Sequence, residues 1–315
     1  MNILFNFRLF FLIFGSLLTL CLNSKIRRKV MDSLTIVAPN RITRLKLTYR
    51  HIHAMSIFRL INEFLLISNQ KAIDRFIFSK VHVDSPNILD DIKKHKGAII
   101  FATPHYGPFI IGCLKASKEF AGNKRVYTFY DAPEKTESSA PFQKILEKVQ
   151  GSIVSVFNDN AGVIKALRAL RNKEIVAILP DVYDLSGQSL AVPFFNHFTQ
   201  AMSGTAFLAT HSKAIIVQAY CKVNWFGEVN ITLEPPISPK PELSFEQNTY
   251  FLTKCIFESL ERHIRQSPEY WVYLSQIKSR LEHPLADGDM YTQINKDVCT
   301  LRKGLDVPDD IQFFN

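Results

Sequence analysis

The sequence predicts an α/β fold, a mostly parallel sheet flanked by helices, preceded by an N-terminal membrane helix. Three observations carry this reading. From residue 97 onward, short apolar runs alternate with helical patterns, the signature of strands joined by crossover helices. The 315-residue chain is 47% hydrophobic and 21% charged, so a large core can be buried. Residues 3–22 form an apolar run interrupted by a single charge, Arg8.

The N-terminal run comes first in the chain. Leu9 to Leu22 alone is short for a bilayer, but with the first turns the helix reaches about 30 Å, enough to cross. A signal peptide is the rival reading, and Leu20, Cys21 and Leu22 are poor residues for cleavage. The basic cluster Lys25, Arg27, Arg28, Lys29 follows at once. It favours an uncleaved anchor, spanning or dipping into the membrane, with the body of the protein on the cytoplasmic side. Arg41 to Asn69 is a helix by the spacing of Ile57, Leu60, Ile61, Phe64 and Leu65, and it opens on the basic residues Arg41, Arg44, Lys46 and Arg50. That basic end suits either a solvated face or an anionic membrane surface.

Beyond residue 97 the expected strands are 97–102, 125–130, 153–157, 174–179, 214–221 and 229–233. The expected helices are 108–120, 141–149, 161–171, 205–212 and 245–266. The chain divides into an anchor (1–24), a helical membrane-proximal region (25–96), an α/β domain (97–283) and a peripheral tail (284–315).

Composition narrows the chemistry. The net charge of +9 suits anionic lipid, an acidic carrier protein or nucleic acid. No zinc spacing, arginine-rich tract or RNA-binding aromatic signature supports nucleic acid. The 25 phenylalanines suit a core first and contact with lipid second. Cys21, Cys113, Cys221, Cys255 and Cys299 are scattered and contain no Cys-x-x-Cys, which argues against a disulfide framework or a structural metal. No phosphate-cradling glycine loop is present. The stretch Ser186-Gly187-Gln188-Ser189 lacks the nucleophile-elbow pattern.

In open α/β sheets ligands bind beyond the carboxyl ends of the strands. His105 follows the strand ending at Ala102, and Asp181 follows the strand ending at Leu179. Pro104, Gly107 and Pro108 stiffen the loop around His105. Gly107 allows close backbone approach. A helix opening at Pro108 would offer free N–H groups to developing negative charge. His105 is therefore a candidate general base. A histidine that merely packs in its loop fits the spacing as well.

The run Gly97-Ala98-Ile99-Ile100-Phe101-Ala102-Thr103-Pro104-His105-Tyr106-Gly107-Pro108-Phe109 resembles the catalytic block of the lipid A biosynthesis lauroyl/myristoyl acyltransferases. These belong to the wider lysophospholipid acyltransferase-like superfamily. Further blocks are similar: Ile178-Leu179-Pro180-Asp181, Val192-Pro193-Phe194-Phe195-Asn196, Ser203-Gly204-Thr205-Ala206 and Pro268-Glu269-Tyr270-Trp271-Val272-Tyr273. The resemblance runs from the anchor to about Arg280. It implies a glycerolipid acyltransferase-like sheet and an inner-membrane enzyme moving a fatty acyl group from a thioester of acyl carrier protein or coenzyme A to a hydroxyl or amine of a lipid. No other cofactor and no metal is implied. His105 would take the acceptor's proton, with Asp181 as a second catalytic residue and Tyr106, Gly107, Phe194 and Phe195 at the substrate. Asp181 fits a loop cap as well, and Phe194 and Phe195 fit the core ahead of an acyl-chain wall. The family carries a carboxylate after four intervening residues, where this chain has Ile110. Isoleucine cannot support an imidazolium. Three arrangements stay open: another carboxylate, Asp181 before Asp131 or Asp184, fills the space; the acceptor is reactive enough for a lone histidine; or the chain is a catalytically degenerate lipid-binding or scaffold protein of the same fold.

Overall fold

The computed structural model describes residues 3–136, 139–149, 153–182 and 189–282. Asp184, Cys299 and the expected tail lie outside them. Eleven α-helices and nine strands follow one another among these residues. In chain order they are α1 (Ile3–Leu22), α2 (Ser24–Ser33), α3 (Arg41–Ile67), α4 (Gln70–Lys80), β1 (Val81–Val83), α5 (Pro86–Lys94), β2 (Ile99–Ala102), α6 (Phe109–Glu119), β3 (Val126–Tyr130), α7 (Ser139–Glu147), β4 (Ile153–Phe157), α8 (Asn160–Arg171) and β5 (Ile175–Ile178). The hairpin β6 (Ser189–Phe194) and β7 (His197–Met202) comes next. Then follow α9 (Gly204–Ser212), β8 (Ile215–Val223), β9 (Val229–Leu233), α10 (Phe245–Gln266) and α11 (Ile277–Glu282). Two 3₁₀ turns, Pro268–Tyr270 and Leu274–Gln276, join the last two helices.

Seven strands form one sheet in the order β1-β9-β8-β2-β5-β3-β4. Only the β8–β9 pair is antiparallel, so the expectation of a mostly parallel sheet holds. Strands buried on both faces read as continuous apolar runs, and their residues alternate between two cores. Ile100, Ala102, Val176 and Ile178 face α8, α9 and α10. Ile99, Phe101, Ile175 and Ala177 face α3, α4, α6 and α7. Burying this much aliphatic surface is the main favourable term in folding.

Some elements differ from expectation. The region 25–96, expected as helical, contributes β1, which pairs in parallel with β9. The sheet therefore begins at residue 81. The β6–β7 hairpin carries Pro193 inside a strand and no glycine at its turn, both of which obscure it in the sequence. Its loop is Phe195-Asn196, with φ of 52° and 61°, between the paired Phe194 and His197. This left-handed pair suits a two-residue hairpin of the I′ type. The Glu261 carboxylate accepts the Phe195 N–H at 2.6 Å and holds the strained residue in place.

Helix α1 is, among the described residues, the one helix long and apolar enough to cross a membrane. One side of it lies along α3. Phe5 packs on Phe64 and Phe76, Arg8 pairs with Glu63 at 2.5 Å, and Ser16 meets His53 at 3.2 Å. The other side presents Phe7, Phe10, Phe11, Phe14, Leu17 and Leu18 outward.

The hairpin turn yields a direct test. Asn196→Gly relieves a left-handed side chain and should hold or raise the thermal midpoint, whereas a β-branched Asn196→Val should cost about 1–2 kcal/mol. Paired thermal denaturation curves check the difference.

Candidate active site

Strands β2 and β5 are parallel neighbours, with Ala102 opposite Ile178. Three residues beyond each lie His105 and Asp181. The register therefore delivers the two side chains to one point above the sheet, although 76 positions separate them. His105 Nδ1 and Asp181 Oδ1 are 2.8 Å apart. The His105 backbone N–H reaches both carboxylate oxygens at 3.0 Å. Trp271 donates its indole N–H to Oδ2 at 3.0 Å, and Arg280 donates to the Asp181 backbone carbonyl at 2.9 Å.

Asp181 is fully buried. Burial alone would raise its pKa, but the His105 ring, the Arg280 charge and the Trp271 N–H outweigh it and hold the carboxyl below its ordinary value. An ionised carboxylate only accepts hydrogen bonds, so Nδ1 carries the hydrogen, and in the neutral ring the lone pair lies on Nε2. Nε2 makes no hydrogen bond to a described residue. Phe109 and Tyr273 flank the imidazole, each with its ring centroid 4.8 Å away. Burial and the nearby Asp181 charge push the Tyr273 phenol up to about 12, so it stays neutral. The Arg280 guanidinium stacks over Tyr273 at 4.1 Å.

The loop itself is tied down from behind. Gly107 donates to the Tyr270 carbonyl at 2.7 Å, and Val272 donates to the His105 carbonyl at 2.9 Å. Gly107 has φ 59°, and a Cβ there would sit 2.1 Å from the Cys221 carbonyl oxygen. Only glycine fits. Tyr106 is buried, and its hydroxyl donates to the carbonyls of His263 and Ser267 at 3.1 and 2.8 Å.

His105 opens on a cleft of about 360 Å³. Phe129, Tyr130, Ile178, Pro180, Val182 and Met202 give it apolar walls, and Asp131, Asn158 and Thr205 give it polar ones. Asp131 is engaged by Asn158 at 3.0 Å and is not the partner of the His105 ring. Ile110 packs into the core under α6. Asp181 thus stands where Ile110 leaves the imidazole without an acid.

Four residues expected at the substrate sit elsewhere. Tyr106, Gly107, Phe194 and Phe195 do not line the cleft. Tyr106 and Gly107 fix the loop. Phe194 packs on Phe257 and Trp271, and Phe195 lies under Arg265. The aromatic pair is core because the hairpin folds back over α10. The expected anion-facing helix start also differs. Pro108 caps α6 from outside, and the Phe109 N–H is taken by Gly107. The helix whose first residues, Gly204 and Thr205, line the cleft is α9. Trp271 and Arg280 escaped sequence reading as site residues. Trp271 was visible only inside a resembling block, and Arg280 carried no signal. Buried Cys113 has its thiol pushed up to about 12 by burial, so it offers no thiolate at neutral pH. Among the described residues no group of three or more His, Cys, Asp or Glu could hold a metal.

Two stability outcomes follow. Trp271→Phe, which leaves Oδ2 short of a donor, should cost about 1–3 kcal/mol. Asp181→Asn should lower stability across neutral pH. Because the folded Asp181 pKa is depressed, its contribution is present above the unfolded carboxyl range, about 3.9, and is lost as pH falls through the folded value. The gap between parent and variant should be constant from about pH 5 to 8 and close in more acidic buffer. Denaturant titrations over pH check both.

A model of the bacterial lipid A biosynthesis acyltransferases matches residues 56–278, more than two thirds of the chain. The match takes in the β2 loop, Asp181 and Trp271. No curated protein shows a significant match to the chain. With its whole seven-stranded sheet and the cleft inside the matched stretch, this chain belongs to the bacterial lipid A biosynthesis acyltransferase family and is an acyltransferase.

Proposed function

We propose that the protein transfers a fatty acyl group from an acyl carrier protein or coenzyme A thioester to a hydroxyl or amine of a lipid acceptor, with His105 as general base. The observation that carries this is the His105–Asp181 contact of 2.8 Å, which supplies the imidazole with an acid despite Ile110. Nε2 takes the acceptor's proton as its oxygen or nitrogen attacks the thioester carbonyl carbon. Asp181 stabilises the resulting imidazolium and keeps the ring in the productive tautomer. The first residues of α9, Gly204 and Thr205, line the cleft, and the unpaired N–H groups of a helix start there are the donors for the tetrahedral oxyanion in this reading. Collapse breaks the C–S bond, and the imidazolium returns its proton to the departing thiolate. The apolar walls of the cleft suit the first carbons of an acyl chain.

Two features support a location on the inner membrane, with the cleft on the cytoplasmic side. Helix α1 exposes an apolar face. The cluster Lys25, Arg27, Arg28, Lys29 follows it directly, as the positive-inside rule requires. The net charge of +9 complements the acidic donors.

Membranes carrying the parent or variant chains, supplied with an acyl thioester and a lipid A precursor, test the mechanism. His105→Ala should lower the rate by a factor of about 10³ or more, and Asp181→Asn by about 10²–10⁴. Parent-level turnover by His105→Ala would remove His105 from the chemistry. Ile110→Glu should give no gain, since Asp181 already serves the ring, and should destabilise by about 2–4 kcal/mol because the new carboxyl is buried among aliphatics.

A further inference from the structure

We propose that the groove between α2 and the first turn of α3 binds the phosphate of an anionic phospholipid headgroup. This rests on the membrane association proposed above. The groove measures about 320 Å³ and is lined by Arg27, Arg28, Arg41 and Arg44, with Asp32 the single acidic residue among its walls. The spacing explains the convergence. Arg27 and Arg28 project from one stretch of α2, while Arg41 and Arg44 are three apart on α3 and share a face.

These arginines are poorly satisfied by the protein itself. Arg28, Arg41 and Arg44 form no ion pair with a described residue. Arg44 Nε is buried without a hydrogen-bond partner, which costs free energy unless a ligand supplies an acceptor. Arg27 is held in place by donating to the carbonyls of Leu20 and Cys21 at 2.7 and 2.9 Å, which ties the groove to the end of α1. The Asp32 carboxylate is turned toward Lys278, 3.7 Å away. The α3 N-terminus at Arg41 adds its positive dipole end. Guanidinium forks match phosphate oxygens in pairs.

The surroundings select a lipid over a soluble phosphate. The outward apolar face of α1 ends at Leu22, and the groove opens at Ser24. Exposed Ile26, Ile42 and Leu45 stand beside it. Charge flanked by exposed aliphatics at the end of an apolar helix is the arrangement of a headgroup layer. Nucleic acid would find these aliphatics unfavourable.

The full chain in neutral detergent tests this. Thermal midpoints are measured against dioctanoyl phosphatidylglycerol, dioctanoyl phosphatidylcholine and inorganic phosphate. The parent should show a saturable rise with the glycerol lipid and little with the other two. Arg28→Gln/Arg44→Gln should weaken the apparent affinity about tenfold or more, roughly 1.4 kcal/mol. Lys29→Gln/Lys46→Gln removes the same charge outside the groove and should keep the response. Arg28→Gln alone, at an exposed position, decides the matter should the double variant lose its starting midpoint. Equal loss in the two double variants would reduce the effect to a general field and overturn the site. An equal response to the choline lipid, or to inorganic phosphate, would overturn the headgroup assignment. Membrane association is read separately, by flotation of Phe10→Ser/Phe14→Ser with neutral vesicles. Unimpaired flotation of that variant beside an intact glycerol-lipid response sinks the anchor reading alone, and a flotation defect in it beside a parent that shows no glycerol-lipid response sinks the groove alone.

Discussion

The candidate site depends on one buried carboxylate. Asp181 sits where a lone negative charge would be prohibitive, and three N–H donors and a nearby guanidinium make it tolerable. Two of the donors, a backbone N–H and the imidazole, belong to His105 in the β2 loop, and the third is the Trp271 indole just after the 268–270 turn. Removing any one leaves the others facing an underpaired charge. The carboxylate therefore organises more than a ring. It fixes the loop backbone through the His105 N–H, the rear wall through Trp271 and the tautomer through Nδ1. An isoleucine at 110 is compatible with this arrangement because the acid is supplied by the neighbouring strand instead of the same helix.

The sheet makes that substitution geometrically simple. Parallel neighbours in register project equivalent positions side by side at their carboxyl ends. A residue three past Ala102 and one three past Ile178 have little freedom to miss each other. The rest of the loop is then a packing problem. Gly107 must pass within contact of the Cys221 carbonyl, and Tyr106 must reach across to two carbonyls at the end of α10. Residues that looked like substrate contacts are thus the supports that leave the imidazole one orientation.

What the sequence made legible follows the same logic. The alternation from residue 97 was readable because buried parallel strands are short continuous apolar runs, and α10 was bounded by Ser244 and Gln247 forming a capping box. His105 was readable from the stiff residues around it. Asp181 was readable as one of three carboxylates, but choosing among them required the β2–β5 register, a non-local pairing that composition does not encode. Trp271 and Arg280 act through tertiary contacts alone and had no local pattern to betray them. The β6–β7 hairpin was hidden because Phe195 and Asn196 occupy a turn that ordinarily advertises itself with glycine. Strand β1 is three residues long, below the length at which period-two patterning is recognisable.

The N-terminal helices and the site share a physical connection. Helix α3 lies against α1 on one side and against the 268–270 turn on the other. Arg50 pairs with the buried Glu269 at 2.5 Å, and the ring of His51 lies 3.0 Å from the Glu269 carbonyl. Burial pushes His51 down to about 4, so it is neutral at physiological pH and donates a hydrogen bond without adding charge beside Arg50. The same turn leads directly into Trp271 and Val272, which hold Asp181 and the His105 carbonyl. A single residue, Tyr270, therefore separates the side chain that α3 grips from the indole that supports the carboxylate. Through this short path the packing of α3 against the 268–270 turn bears directly on the residues that hold Asp181 and the His105 loop.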